Sequence, residues 1–173
     1  MTETRLALVT GASSGIGLEL AKQFAQHGYD LVVAAEDEGI DDVPARLANH
    51  GVSVQAVRVD LRQPDDVERL YAEATAGGRA IAAAALNAGV GTGDMFLRTD
   101  LAQDMSVVDL NVRSTVHLAK LVLRGMADRN DGKVEIKSQT KTDGDAKDTH
   151  AKVETSGPFL GVKKMKRIEG TCS

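Results

Sequence analysis

The sequence predicts an α/β protein built on a doubly wound parallel sheet. Three observations predict it. Short apolar runs alternate with segments whose apolar residues recur at helical spacing. A glycine-rich turn joins the first run to the first such segment. The strand-helix unit then repeats, which implies parallel pairing with right-handed crossovers. In such sheets ligands bind beyond the carboxyl ends of the strands.

Each element has its own signal. Leu6-Ala-Leu-Val9 is a short apolar run ending at Thr10-Gly11, as a buried parallel strand does. Ser14 to Gln26 reads as a helix: Ile16, Leu20, Ala21 and Phe24 recur at helical spacing, and Gly28 stands where a C-terminal cap is expected. Leu31-Val-Val-Ala34 is a second strand. Asp42 to His50 is a short helix, with Pro44 tolerated in its first turn. Val52 to Val59 alternates in part and reads as a third strand. Gln63 to Ala76 is a helix with Pro64 at its start. Ala80 to Leu86 suits a helix by propensity alone. Its position, its length and the Asn-Ala-Gly that follows favour a fourth, buried strand. Asp100 to Met126 reads as one long helix, with Leu110, Val116, Leu118 and Leu121 among its apolar positions. Lys133 to Ile136 begins a fifth strand.

The chain has 173 residues and a mass of 18.3 kDa, the size of one domain. It is 42% hydrophobic and 27% charged, a globular balance with enough apolar material for a core. Its net charge of −4 argues against a nucleic acid or an anionic membrane as the main partner. No apolar run approaches the roughly 18 residues of a membrane span. Met1 to Arg5 leads directly into the first apolar run, so no signal peptide is expected and a reducing cytoplasm is the expected location. The single cysteine, Cys172, excludes an internal disulfide and a multi-cysteine zinc centre, and no metal site is expected.

The chain changes character near residue 134. Up to Val134 it holds ten Arg, three Lys and twenty-one Ala; from Glu135 on it holds one Arg, seven Lys and two Ala. The sequence is therefore divided into residues 1–134, a sheet-forming domain, and residues 135–173, a polar Lys/Thr/Asp-rich tail. Lys137 to His150 has almost nothing to bury, so packing cannot offset its ordering entropy and the tail is expected to be flexible. A solvated tail and a segment from another reading frame, splice product or fusion both account for the shift.

The strongest chemical signal is Thr10-Gly-Ala-Ser-Ser-Gly-Ile-Gly17. Glycine at 11, 15 and 17 permits a tight turn and close approach of a pyrophosphate. The helix start beyond it supplies free amides and a positive dipole end. A tight turn without a ligand is the plainer reading, but three glycines between a strand and a helix are the context that dinucleotide binding requires.

This segment resembles the short-chain dehydrogenase/reductase family, whose first turn reads Thr-Gly-x-x-x-Gly-x-Gly. Val59-Asp60-Leu61 resembles the family's acidic turn after the third strand, where the adenine ring is held. Leu86-Asn87-Ala88-Gly89 resembles its Asn-Asn-Ala-Gly motif, with Leu86 in place of the first Asn. Leu110-Asn111-Val112 resembles the long-helix segment that carries the family's catalytic asparagine. The resemblance implies a Rossmann-like fold and an NAD(P)-dependent oxidoreductase that moves hydride between nicotinamide and a small alcohol or carbonyl substrate. It implies cofactor contacts from Gly11, Ser13, Ser14, Gly15, Ile16, Gly17, Glu36, Asp60, Leu61, Asn87, Ala88 and Gly89, and a catalytic role for Asn111.

Cofactor choice turns on the end of the second strand, where a carboxylate accepts from a ribose 2′-hydroxyl and a cation binds a 2′-phosphate. The chain reads Ala34-Ala35-Glu36-Asp37-Glu38, with Glu36 where many NADP-preferring relatives place Arg. Three acids repel a phosphate, so NAD is the expected cofactor, with NADP left open.

The resemblance also defines what is missing. Family members carry Tyr-x-x-x-Lys on the next helix, where the lysine lowers the tyrosine pKa so that the phenol exchanges a proton. This chain has two tyrosines, Tyr29 and Tyr71. Both precede the fourth strand, and neither has Lys four residues later. Ser138 lies near the end of the fifth strand among neighbours that do not match the family pattern. It is read as a tail serine, and His150 and Lys152 as solvated tail groups. Relative to whole family members the fold is expected to be C-terminally truncated, leaving the fifth strand as an edge. The long helix and the one after it commonly build a homo-oligomer interface in relatives, and half of that interface is missing here. Three readings stay open: an oxidoreductase by lineage, impaired in catalysis as this chain; a non-catalytic dinucleotide-binding protein; and a truncated or frame-altered product.

Overall fold

The computed structural model describes residues 4–154 apart from Asp94, Gly132, Asp143 and Gly144, and between 133 and 154 it describes the backbone alone. The first half alternates strand and helix as its hydrophobic pattern demands. The elements are β1 (Leu6–Thr10), α1 (Gly15–Gln26), β2 (Asp30–Ala35), α2 (Val43–Leu47), β3 (Val54–Arg58), α3 (Pro64–Ala74) and β4 (Ile81–Leu86). Then come α4 (Leu101–Val108), a π-helical turn (Asp109–Ser114), α5 (Thr115–Arg129), β5 (Lys133–Thr142) and β6 (Asp145–Glu154). Short 3₁₀ turns, Glu38–Asp42 and Ala48–His50, flank α2.

The sheet order is β3-β2-β1-β4-β5-β6. The first five strands are parallel and β6 is antiparallel to β5. The strand order reverses between β1 and β4, which places a crevice at the carboxyl ends of these two strands. Among the described residues no helix is long and apolar enough to cross a membrane.

Strand side chains alternate between two cores, because successive residues point to opposite faces of a sheet. Leu6, Leu8, Val32 and Ala34 face Val67 and Leu70 of α3 and Leu118, Val122 and Met126 of α5. Ala7, Val9, Leu31 and Val33 face Leu18, Ala21 and Ala25 of α1 and Val43 and Leu47 of α2. Both faces of the central strands are therefore dry, and their near-continuous apolar sequences follow. Cutting a fully buried residue such as Leu8 or Leu118 to Ala costs about 2–5 kcal/mol in a packed interior.

Most elements lie where the sequence predicts them. Ala80 to Leu86, ambiguous by propensity, is strand from Ile81 and pairs with both β1 and β5. Pro64 opens α3, and Gly28 adopts φ +74° just past the C-cap of α1.

Three expectations need correction. The buried stripe of α1 is Gly17, Leu18, Ala21 and Ala25, whereas Ile16 is 41% exposed and Leu20 and Phe24 are half-buried. Small residues face the sheet because the helix lies close against it. The long helix predicted over residues 100–126 is interrupted at Asp109–Ser114, and its last segment runs on to Arg129. The fifth strand is not left as an edge, because β6 pairs along its whole length. Beyond Val134 the chain continues β5 and forms all of β6. Backbone pairing runs from Lys133↔Glu154 to Thr142↔Asp145 and needs no apolar side chains. Ser138 lies within β5 opposite Thr149, and His150 and Lys152 lie in β6 opposite Lys137 and Glu135. Residues 155–173, with Cys172, lie outside the described residues.

Candidate functional site

The crevice predicted from strand order is a cleft of about 280 Å3. Its walls come from the β1–α1 turn (Gly11, Ser13, Ser14), the end of β2 (Ala35, Glu36, Asp37), the segment after β3 (Val59, Leu61) and the segment after β4 (Ala88, Gly89, Val90). Leu110 of the π-helical turn closes one side. Parallel pairing brings these four strand ends to one edge of the sheet.

The glycine turn packs backbone on backbone. A Cβ on Gly17 would lie 1.9 Å from the carbonyl oxygen of Gly11, and one on Gly11 would lie 2.9 Å from the Cα of Ala88. Gly11 also has φ +64°, which L side chains rarely adopt. Helix α1 starts directly from this turn. Its N-cap, Ser14, makes no side-chain capping bond, and no acid stands in its first turn. The first amides therefore point outward with the positive end of the helix dipole, an arrangement suited to an anion.

Thr10 ties the glycine turn to the segment after β4. Its hydroxyl, 2% exposed, accepts from the amides of Asn87 and Ala88 at 3.0 and 3.1 Å. Asn111 braces the same segment from below. Its Oδ1 accepts from the Val90 amide at 2.9 Å, and its Nδ2 donates to the Val90 carbonyl at 2.7 Å. The π-helical turn presents Asn111 there. Within it the buried Ser114 hydroxyl donates to the Leu110 carbonyl at 2.6 Å, a back-bond that bends helices.

Charges crowd the rim at the end of β2, and each is matched. Asp37 accepts from the Ser13 hydroxyl at 2.6 Å and from the Gly39 amide at 2.9 Å. The Ser13 bond, more than any other effect, holds the Asp37 carboxyl below its ordinary pKa. Arg46 donates to the Ser13 carbonyl at 3.2 Å. Arg58 donates to the Glu36 carbonyl and stands 3.5 Å from Glu38. Arg62 grips Glu36 with both terminal nitrogens, donates from Nη1 to Asp60 at 3.0 Å and from Nε to the Ser106 hydroxyl at 2.9 Å. Burial pushes the Asp60 carboxyl up, but the bonds from the Arg62 amide and side chain outweigh it and lower its pKa. The Glu36 bond does most to raise that of Arg62.

The structure brings most of the sequence-predicted residues together. Gly11, Ser13, Ser14, Glu36, Leu61, Ala88 and Gly89 line the cleft. Gly15, Ile16 and Gly17 form the first turn of α1 beside it, and Asn87 packs its amide nitrogen against Gly11 and Gly17. Asp60 stands at the rim with its carboxylate on Arg62. Asn111 meets the Val90 backbone. Sequence reasoning missed Arg46 and Arg62 as participants, and took Thr10 only as the first residue of the glycine-rich turn. Thr10 carried a signal, a polar residue at the end of an apolar run. The two arginines carried none, because only the fold brings them to the end of β2. Neither tyrosine lines the cleft: the Tyr29 ring stacks edge-on against Phe24 beneath Arg5, and Tyr71 of α3 packs against the core.

Comparison with known proteins gives a consistent result. The family model described as short chain dehydrogenase matches residues 5–147. Over 139 residues the chain is 31% identical to oxidoreductase UcpA of Salmonella typhimurium, covering 80% of this chain and 53% of that protein. It is 33% identical over 139 residues to dehydrogenase/reductase SDR family member 4 of Sus scrofa, covering 79% and 50%. The short-chain dehydrogenase of Sphingobium yanoikuyae, solved in complex with NADPH, superposes with a TM-score of 0.70 at 32% identity, covering 75% of this chain and 51% of that one. The chain thus spans about half the length of the curated relatives it matches.

Proposed function

The chain belongs to the short-chain dehydrogenase/reductase family, and from that membership we propose that its cleft binds a nicotinamide dinucleotide, NAD(H) in preference to NADP(H), without completing the oxidoreduction alone. The observation that carries the reading is the approach of Gly17 to the Gly11 carbonyl beneath an uncapped helix start. The Ser14 side chain makes no capping bond to the α1 amides, which leaves them available to a pyrophosphate.

The residues fit such a group. The Gly11–Gly17 turn and the α1 amides hold the phosphates. Glu36 accepts from a ribose hydroxyl, and Asp60 with Leu61 forms the wall for the adenine. Asn87, Ala88 and Gly89 form the opposite wall, kept in place by Thr10 and Asn111. Asn111 is in this reading a positioning residue, since both polar atoms of its side chain are spent on Val90.

When bound, the nicotinamide supplies or accepts the hydride exchanged with an alcohol or carbonyl carbon. The substrate oxygen also needs a proton donor or acceptor of suitable pKa. The chain has no tyrosine after Asn111, and both of its tyrosines are engaged away from the cleft. Binding without turnover follows.

The test is a calorimetric titration with NADH and NADPH, a thermal melt of the same sample, and a dehydrogenase assay over a panel of small alcohols. We expect saturable NADH binding and a ligand-raised melt, approaching about 2.7 kcal/mol of stabilisation at a hundredfold excess over Kd, with no turnover. Absence of saturable binding would sink the cofactor site. Robust alcohol oxidation would sink the binding-only reading while leaving the site intact.

A further inference from the structure

The guanidinium of Arg62 is held from two sides. Its Nε donates to the Ser106 hydroxyl at 2.9 Å, and Nη1 donates to Asp60 at 3.0 Å. Its own backbone amide also donates to Asp60, at 3.0 Å, so main chain and side chain share one anchor. The remaining edge meets Glu36, from Nη1 to Oε2 and from Nη2 to Oε1, the latter at 3.4 Å. The Arg62 side chain is 22% exposed and that of Glu36 is 49% exposed, and of the two it is Glu36 that lines the cleft.

Glu36 lies at the end of β2, where a carboxylate recognises a ribose 2′-hydroxyl and a nearby arginine recognises a 2′-phosphate. Here both groups are present and consume each other. A rigid, planar, permanently charged fork is well suited to a phosphate dianion, and little ordering entropy remains to be lost when it binds.

Building on the dinucleotide reading, we propose that Arg62 is a latent ligand for a ribose 2′-phosphate, masked by Glu36, and that this ion pair sets cofactor discrimination in the chain. Removal of the Glu36 side chain then does two things. It deletes a negative charge that repels the phosphate, and it releases a guanidinium still anchored by Ser106 and Asp60. The second effect needs Arg62; the first does not.

That difference defines the experiment. NADH and NADPH are titrated by calorimetry into the wild-type chain, Glu36→Ser, Arg62→Gln and the double variant, with a thermal melt of each. The wild type is expected to favour NADH. Glu36→Ser is expected to bind NADPH at least about tenfold more tightly than the wild type does, and the double variant to lose most of that gain. A cooperative thermal melt of each variant shows that it is folded. An equal gain in Glu36→Ser and in the double variant would mean that relief of repulsion is the whole effect, and would overturn the role of Arg62. No gain in either would overturn the masking by Glu36. A wild-type chain that binds neither cofactor would overturn the dinucleotide reading itself, and the proposal with it.

Discussion

Gly17 shows how little freedom a single position has at the cleft. A methyl group there collides with the Gly11 carbonyl oxygen, a backbone atom that cannot rotate away. Helix α1 must then lift from the turn, and the phosphate-facing amides lift with it. Gly17→Ala is expected to cost about 2 kcal/mol, within the range of overpacked sites, and to lower the melting temperature by roughly 4–8 °C. The same variant should lose NADH binding in a calorimetric titration. An unchanged melt with unchanged affinity would show that the close packing of the turn is not what shapes the site. Thr10 and Arg62 make the complementary point. The first is a buried hydroxyl spent on two amides, and the second is a cation spent on two carboxylates. Both act through backbone or side chains that are remote in sequence.

Helix α4 depends on its cap more than on its packing. It is eight residues long and buries none of them. Asp100 accepts from the Gln103 amide at 2.8 Å while the Gln103 side chain accepts from the Asp100 amide at 3.3 Å, a reciprocal capping box. Replacing Asp100 with Ala should cost the helix about 1 kcal/mol. Because α4 is not part of either core, the loss should show as local opening rather than global unfolding. The readout is amide exchange over residues 101–108, expected to quicken about fivefold. A lowered global melt with no local change would show that α4 unfolds only with the whole. The π-helical turn that follows is the element that periodicity concealed. Apolar spacing through Leu110, Leu118 and Leu121 fits an uninterrupted helix, and only the contacts of Asn111 and Ser114 reveal the extra residue.

The molecule as a whole presents an apolar surface that its two cores do not use. Phe96, Leu97 and Leu101 are 76%, 91% and 75% exposed, and Val112 and Val116 on the π-helical turn and α5 are 55% and 65% exposed. Exposed apolar groups concentrated in residues 96–116 point to an interaction surface. We expect copies of the chain to associate through it, as the family resemblance implies. Light scattering should then give a mass that rises with concentration, and the double variant Leu101→Glu, Val116→Glu should remain monomeric. A wild-type chain that is monomeric throughout the micromolar range would remove this face as a self-association surface.

The parallel sheet, the helix starts at Pro64 and Gly15, and the place of the cleft were legible from residues 5–134. They rest on local physics: strand and helix periods differ, proline and glycine punctuate, and a glycine-rich turn between a strand and a helix has few uses. The membership of Gly11, Ser13, Ser14, Glu36 and Gly89 in one cleft was legible for the same reason, since parallel strands bring their carboxyl ends to one edge. The pairing of Glu36 with Arg62, the bracing of Val90 by Asn111 and the covering of β5 by β6 were not legible. Each joins residues through backbone or charge contacts across the fold, where no sequence period records a partner. The acids at 36–38 illustrate the division. Sequence composition presents them as a bare negative cluster, whereas folding sets Arg58 and Arg62 against it, because a charge brought to a crowded rim is stabilised by whichever counter-charge the topology delivers.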